Sequence, residues 1–355
     1  MKTHGRRIRG MMTKEGPARV RLRDVAERAG VSQTTVSFVL NERPGSGISV
    51  ETRDHVLRVA REMDYRPNQA ARSLRTRVTN TIGLISDQIV TDNYGGDLIR
   101  GALVTALRHD HLLIVVESQD DPEVERHLVE DLLARQVDGI IVAMIGSDRV
   151  RLPGVLAAGR TVLLNCTSSH ALPAILADEF AGGRDAASAL LRAGHRRGIY
   201  LVGETPDALR PARERRRGVA AALAEAGTDL EGTIDCMWWP ESAYDAVGAL
   251  VASGQPAGAL ICLNDRVAFG AYQAIAEAGL RIPDDVSVVS FDDSELARWL
   301  RPQLTSVALP YFDMGRIAVE SVLGLRQEWV GGQWQAHVVA MPLRERGSIA
   351  PGRDA

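Results

Sequence analysis

Gln33 and Thr34 stand directly behind Ser32 in the stretch GVSQTTVSFVLN, and side chains of these types could read DNA bases. A glutamine amide pairs bidentately with adenine, and a threonine can donate, accept or touch a thymine methyl; Phe38 offers only apolar contact. Reading of this kind requires a helix that enters the major groove by its first turns. The neighbouring residues supply one: Ser32 is a suitable N-cap, and Val36, Val39 and Leu40 recur at helical spacing on the side opposite Gln33, Thr34, Ser37 and Phe38. Upstream, Leu22, Val25, Ala26 and Ala29 have the same period, and Gly30 suits a left-handed cap. Two short helices joined by a tight, glycine-containing turn describe a helix-turn-helix.

Any small three-helix domain shows such a pattern, and charge decides between the readings. Residues 1–80 carry 17 Lys and Arg against 8 Asp and Glu, near +9, whereas the whole chain of 355 residues has a formal charge of −3. A basic head on an acidic body is the footprint of phosphate binding. Ser49 caps a third helix with Val56, Val59 and Ala60 inward. Pro67 then stops any helix before it, and Asn68 can cap a short separate helix over 69–75. A helix that short is marginal in isolation. Residues 1–19 have no apolar run and read as a disordered basic extension, with Met11 or Met12 as another possible start.

The body alternates short apolar runs with amphipathic stretches. Strands are expected at 82–86, 112–117, 139–144, 161–164, 174–177, 198–202, 258–263 and 286–291, with helices at 97–108, 123–135, 182–193, 213–226 and 266–278. This rhythm is that of a parallel sheet covered on both faces, in which ligands collect at the carboxyl ends of the strands. Enzyme motifs are missing: there is no GxxxxGK[ST] loop and no GxSxG elbow. Cys166, Cys236 and Cys262 are far apart and lack CxxC spacing, so no metal, cofactor or disulfide framework is expected. With no secretory or membrane-spanning segment, the chain reads as cytoplasmic with reduced thiols.

The stretches DVAERAGVSQTTVSFVLN, SVETRDHVLRVAREMDYRPNQAARSL and TIGLI, followed by LLARQVDGIIV, LADEFAGGRDAASALLRAGHRRGIYLVG, RERRRGVAAAL, ALICLNDRVAFGAYQAIAEAGLRIPDDVSVVSFDD and LRPQLTSV, closely resemble the lactose-repressor (LacI/GalR) family of bacterial transcription regulators. The resemblance implies an all-α helix-turn-helix DNA-binding head (20–67), a hinge helix and linker (68–80), and an α/β periplasmic-binding-protein-like core of two parallel-sheet lobes (81–355). The first lobe would take 81–175 and 309–345, the second 176–308, with three crossings between them. DNA contacts are expected from Arg23, Ser32, Gln33, Thr34, Thr35, Ser37, Phe38 and Asn41 in the head. In the hinge they are expected from Asn68, Ala71, Arg72 and Leu74, with Leu74 as an apolar wedge of the kind that kinks DNA. Phe38 stands where many relatives have arginine, so the operator cannot be read across by analogy. The loop 42–47 is slightly longer than in the best-known members.

Residue-by-residue matching places effector contacts at Arg215, Asn264 and Asp292, with Asp92, Tyr94 and Asn165 on the first lobe. Asp265 and Asp293, their neighbours, read as local helix caps, and His195 as a residue that favours exposed helix-end carbonyls. The implied partners are a pseudo-palindromic operator duplex, a second copy of the chain as a homodimer, and a small molecule, expected to be a carbohydrate inducer. No leucine heptads follow Arg346, so no coiled-coil tetramer is indicated. A solute-binding protein of a transport system explains residues 81–345 as well, but not the basic head.

Overall fold

The computed structural model describes residues 20–41, 45–66, 78–89, 95–144, 149–150, 152, 154–157, 160–203, 209–255, 257–326 and 336–352. Its contacts separate two units, Met1–Thr79 and Asn80–Ala355.

In the smaller unit, α1 (Leu22–Ala29), α2 (Gln33–Leu40) and α3 (Val50–Glu62) pack together. Each contributes the apolar side chains that its period places on one face: Val25, Ala26 and Ala29, then Val36 and Val39, then Val56, Val59 and Ala60, all buried. Local signals fix where the helices begin and end. Gly30 takes φ +67°, the left-handed conformation open to glycine, and stops α1. The Ser32 and Ser49 hydroxyls accept from the Thr35 and Thr52 N–H groups at 3.0 and 3.2 Å and start α2 and α3. Asp24 accepts from the Arg21 N–H at 2.8 Å, and that bond, with Arg23 beside it, holds the Asp24 carboxyl below its ordinary value.

The larger unit contains two six-stranded sheets. Its strands are β1 (Thr81–Ser86), β2 (Leu112–Glu117), β3 (Gly139–Ala143), the short β4 (Arg149–Val150), β5 (Thr161–Leu164), β6 (Thr167–Ser168) and β7 (Ala174–Ala177). There follow β8 (Ile199–Gly203), β9 (Gly232–Asp235), β10 (Ala259–Cys262), β11 (Ser287–Asp292), β12 (Thr305–Ala308), β13 (His337–Val339) and β14 (Leu343–Arg344). The first sheet runs β13-β7-β5-β3-β1-β2 and the second β14-β12-β11-β10-β8-β9. Among the described residues every ladder is parallel except β12 with β14. Strands β3, β5, β7, β8 and β10 are buried at every residue, which is why they read as unbroken apolar runs rather than alternating ones. One apolar cluster joins both sheets, from Ile82 and Leu84 of β1 to Ile199 and Leu201 of β8.

Glycine permits a close helix crossing near the second sheet. A Cβ on Gly183 would lie 2.2 Å from the Arg215 carbonyl oxygen, and one on Gly218 would lie 2.0 Å from that of Phe180. The helices Glu179–Arg192 and Arg210–Glu225 can therefore touch backbone to backbone only because both positions lack a side chain. That contact brings Arg215 beside Glu179.

The chain changes sheet three times, but two boundaries differ from expectation. Residues 176 and 177 complete β7 in the first sheet, paired with Val338 and Val339, so the first change comes at Asp178 rather than after 175. The return to the first sheet ends at Val339, not at 345: Leu343 and Arg344 pair with Val307 and Ser306 in the second sheet, where they cover the edge that β12 would otherwise leave with unpaired backbone. The tail stays there. Ser348, fully buried, donates to the Val288 carbonyl and accepts from the Thr305 N–H.

Candidate functional site

The first candidate surface is the outward face of α2. With Val36 and Val39 committed to the core, the helical period leaves Ser32, Gln33 and Thr34 exposed and Thr35, Ser37 and Phe38 half-buried. The hydroxyls of Ser32 and Thr35 bond each other at 2.9 Å. Asn41 donates its amide to the Ser37 carbonyl at 2.6 Å and to its hydroxyl at 3.3 Å. Arg23 reaches Asp24 at 3.2 Å. Gln33 and Thr34 make no side-chain hydrogen bond among the described residues, so their polar groups stand free in the first turn. Asn68, Ala71, Arg72 and Leu74 lie outside the described residues, as do residues 42–44 of the loop 42–47.

The second candidate site is a polar cluster at the carboxyl ends of β10 and β11. Arg215 is only 2% exposed. Its Nε donates to Glu179 Oε2 at 2.7 Å and its Nη1 to the Leu263 carbonyl; Nη1 also lies 3.6 Å from Asp292 Oδ1. The guanidinium carbon sits 4.5 Å from the Phe291 ring centre and 5.6 Å from that of Trp238. Burial opposes the charge on Arg215, and Glu179 with Asp292 more than restores it, leaving its pKa above the ordinary value. Burial lifts the Asp292 carboxyl well above the carboxylate range, despite the opposing pull of Arg215. Arg215 therefore has Glu179 as its principal partner, by both distance and charge. Asp292 also takes φ +104°, a region sparsely open to residues with a side chain, and such outliers concentrate at binding sites.

Asn264 follows Leu263 and is nearly buried; its Oδ1 accepts from the Val267 N–H at 2.8 Å and caps the helix Asp265–Glu277. Asn165 stands past β5 with φ +59°. Its Nδ2 donates to the Met144 carbonyl at 2.9 Å and its N–H to that of Ile175, which ties together the carboxyl ends of the first sheet. The structure thus brings Arg215 and Asp292 together, with Asn264 one residue beyond the carbonyl that Arg215 grips. It places Asn165 on the other sheet, and Asp92 and Tyr94 lie outside the described residues.

Two members of the cluster were not anticipated. Glu179 looks in sequence like an ordinary first-turn acid, and only the glycine-mediated crossing buries it. Trp238 packs between two apolar clusters of the larger unit, with its indole N–H buried and without a hydrogen-bond partner among the described residues. An unpaired buried donor beside such a cluster is available to a ligand. The adjacent tryptophans of a chain with 5% aromatic residues were the available signal.

Residues 21–68 match the model for bacterial regulatory proteins of the lacI family, and residues 187–349 match that of a periplasmic binding protein-like domain. The ribose operon repressor of Haemophilus influenzae is 34% identical over 85% of this chain and 90% of its own length. Catabolite control protein A of Priestia megaterium is 30% identical over 84% and 90%. The chain belongs to the LacI family. A Lac repressor dimer solved with operator and the anti-inducer ONPF superposes with a TM-score of 0.78 and 26% identity, covering 94% of this chain and 99% of that one. This LacI-family protein is accordingly a DNA-binding transcriptional regulator, and several of its relatives are named as transcriptional regulators or repressors.

Three neighbouring residues of the LacI-family core do other work than expected. Asp265 does not cap its own helix. It accepts from the Ser294 N–H and hydroxyl at 2.7 and 2.8 Å and from the Ser306 hydroxyl at 2.8 Å, and burial raises its carboxyl above the ordinary value. Asp293 accepts from Arg346 at 2.5 Å. His195 is buried, with Nε2 between the Ser287 hydroxyl and the Ala350 carbonyl at 3.1 and 3.0 Å, so it pins the C-terminal segment rather than the end of its own helix. No helix among the described residues is long and apolar enough to cross a membrane.

Proposed function

We propose that this chain is a cytoplasmic repressor that binds a pseudo-palindromic operator as a homodimer and is released by a small carbohydrate held between the two lobes. The observation that carries the effector half is the cluster of Arg215, Asp292, Asn264 and Trp238 at the carboxyl ends of the second sheet. A guanidinium, a carboxylate, a carboxamide and an unpaired indole N–H in one desolvated place suit a ligand with several neighbouring hydroxyls. The name of the ribose operon repressor supports the carbohydrate class. Gln33 and Thr34 contact base edges, and Arg23, Ser32, Thr35, Ser37, Phe38 and Asn41 flank them. A two-fold dimer imposes half-sites on its DNA, and residues 68–75 act as the hinge that couples the lobes to the operator. Asp92, Tyr94 and Asn165 complete the effector site from the first lobe.

Two measurements test this. A gel shift with the DNA upstream of its own gene should give a sequence-preferring complex at moderate salt; equal affinity for unrelated duplex would remove the operator reading. Thermal melting against a sugar panel should show a shift for one member, worth about 2.7 kcal/mol at ~100 times its dissociation constant. That shift should vanish in Arg215→Ala and Asp292→Ala.

A further inference from the structure

Glu179 opens the helix Glu179–Arg192, one residue behind the Asp178 cap. Acids there are commonplace when they face water, because they complement the positive end of the helix. This one is 1% exposed and spends its charge on Arg215. The guanidinium is thereby enclosed: Glu179 takes its Nε edge at 2.7 Å, while the Leu263 carbonyl and Asp292 take Nη1. Phe291 and Trp238 flank it with their rings. A third carboxylate, Asp265, shares the neighbourhood and opposes ionisation of Asp292. A second cation, Arg266, holds its guanidinium 4.5 Å from the exposed Trp239 ring and favours the ionised form of Asp292. Glu179 and Asp292 thus flank one guanidinium.

An arginine in a ligand cleft ordinarily invites phosphate or carboxylate. Here an anion that reached Arg215 would lie close to Glu179, whose carboxylate already holds the Nε edge at 2.7 Å, in a desolvated place where like-charge repulsion is strong. A hydroxyl meets no such opposition, since it can donate to Asp292 and accept from the free edge of the guanidinium. We infer that Glu179 neutralises Arg215 and so makes the cleft selective for an uncharged polyhydroxyl ligand over its phosphorylated or otherwise anionic counterpart. Glu179 is on this account a specificity-determining residue that need not touch the ligand. The inference rests on the reading of the Arg215 cluster as the effector site.

Calorimetric titration of the full-length protein with inorganic phosphate, at constant ionic strength near pH 7, tests it. Binding to the basic head is common to all variants, so the quantity read is the binding that depends on Arg215. The wild-type chain is expected to show none against Arg215→Ala. Glu179→Gln keeps a hydrogen-bonding partner for Nε but removes the charge, and it should bind phosphate at least ~10-fold more tightly than wild type, an increment lost in Glu179→Gln/Arg215→Ala. Arg215-dependent phosphate binding by the wild-type protein would overturn the inference, as would a Glu179→Gln protein that folds but gains none. If Glu179→Gln fails to fold, Glu179→Met removes the same charge at similar size and carries the same expectation. A purely structural Glu179 would alter stability without altering preference between anion and hydroxyl. The operator gel shift is scored separately, so failure of the regulator reading leaves the charge selectivity measurable, and the reverse.

Discussion

In α2 the residues that face outward, Gln33 and Thr34, hold nothing together, whereas in the core unit Arg215, Glu179 and Asp292 are buried and hold one another. The first arrangement separates recognition from stability: Val36 and Val39 fix the helix, and the reading side chains can change without touching that core. The second fuses the two, because the groups proposed to grip the effector are also members of a buried charge cluster. It follows that the head should tolerate changes of specificity cheaply, while the cleft should respond to substitution with changes in folding as well as in binding.

Removal of Arg215 should separate the two regions most sharply. Arg215→Ala leaves Glu179 and Asp292 buried without their cation, and breaking a buried pair from one side typically costs about 3–5 kcal/mol. Urea unfolding of the core unit should show a loss of that size, with the head unaffected; a loss below ~1 kcal/mol, the scale of an exposed pair, would show that water reaches the cluster and that the contrast with α2 is weaker than the burial implies. Gly183→Ala comes next. Its new Cβ would meet the Arg215 backbone at 2.2 Å, and backbone cannot swing aside as a side-chain tip can. The helix must move, at a cost of roughly 1–3 kcal/mol, and effector affinity should fall with it because the displaced helix carries Arg215.

Asp292→Asn is expected to act in the opposite sense on folding. Burial raises the Asp292 carboxyl, so between the unfolded carboxylate range and its own folded value the native state holds a proton that the unfolded chain has lost. Stability from this group is then lost as pH rises through that window. Asparagine removes the penalty, tolerates the positive φ, and leaves Arg215 paired with Glu179. The core should gain about 0.5–2 kcal/mol at neutral pH, the scale of a stabilising substitution at a functional site, while losing effector affinity. Melts from pH 5 to 8 should show a shallower decline with rising pH than in wild type, not a flat line, because Asp265 is raised by burial in the same direction. A variant less stable than wild type at pH 7 would mean that Asp292 is a structural ion-pair partner first.

The same contrast governs what was legible beforehand. The head is built from contacts close in sequence, so periodicity and caps placed α1 to α3. Buried strands such as β5 and β7 announced themselves as apolar runs with the bounds observed. Strand β12 did not: Thr305 and Ser306 are buried polar residues whose partners, Ser348 and Asp265, lie about forty residues away. The edge strand β9, GTID, alternates in burial over four residues and is too short to show a period. In the cluster, Arg215 was reached through resemblance and Glu179 not at all, because its burial is produced by Gly183 and Gly218 and no local property of the sequence encodes it.

The smallest stability effect belongs to Gln33→Ala, and it completes the comparison. Gln33 is exposed, follows the Ser32 cap, and makes no side-chain hydrogen bond among the described residues. Alanine is the stronger helix former, and surface substitutions of this kind usually stay within roughly ±0.5 kcal/mol. Unfolding of the head should therefore be unchanged. Operator affinity should drop by about 1–3 kcal/mol per half-site if the carboxamide reads a base edge, and the loss should be confined to one operator position, with the salt dependence of binding preserved because no phosphate contact is removed. A uniform loss across all sequences, with a shallower salt slope, would instead make Gln33 a backbone contact and leave Thr34 to lead the reading.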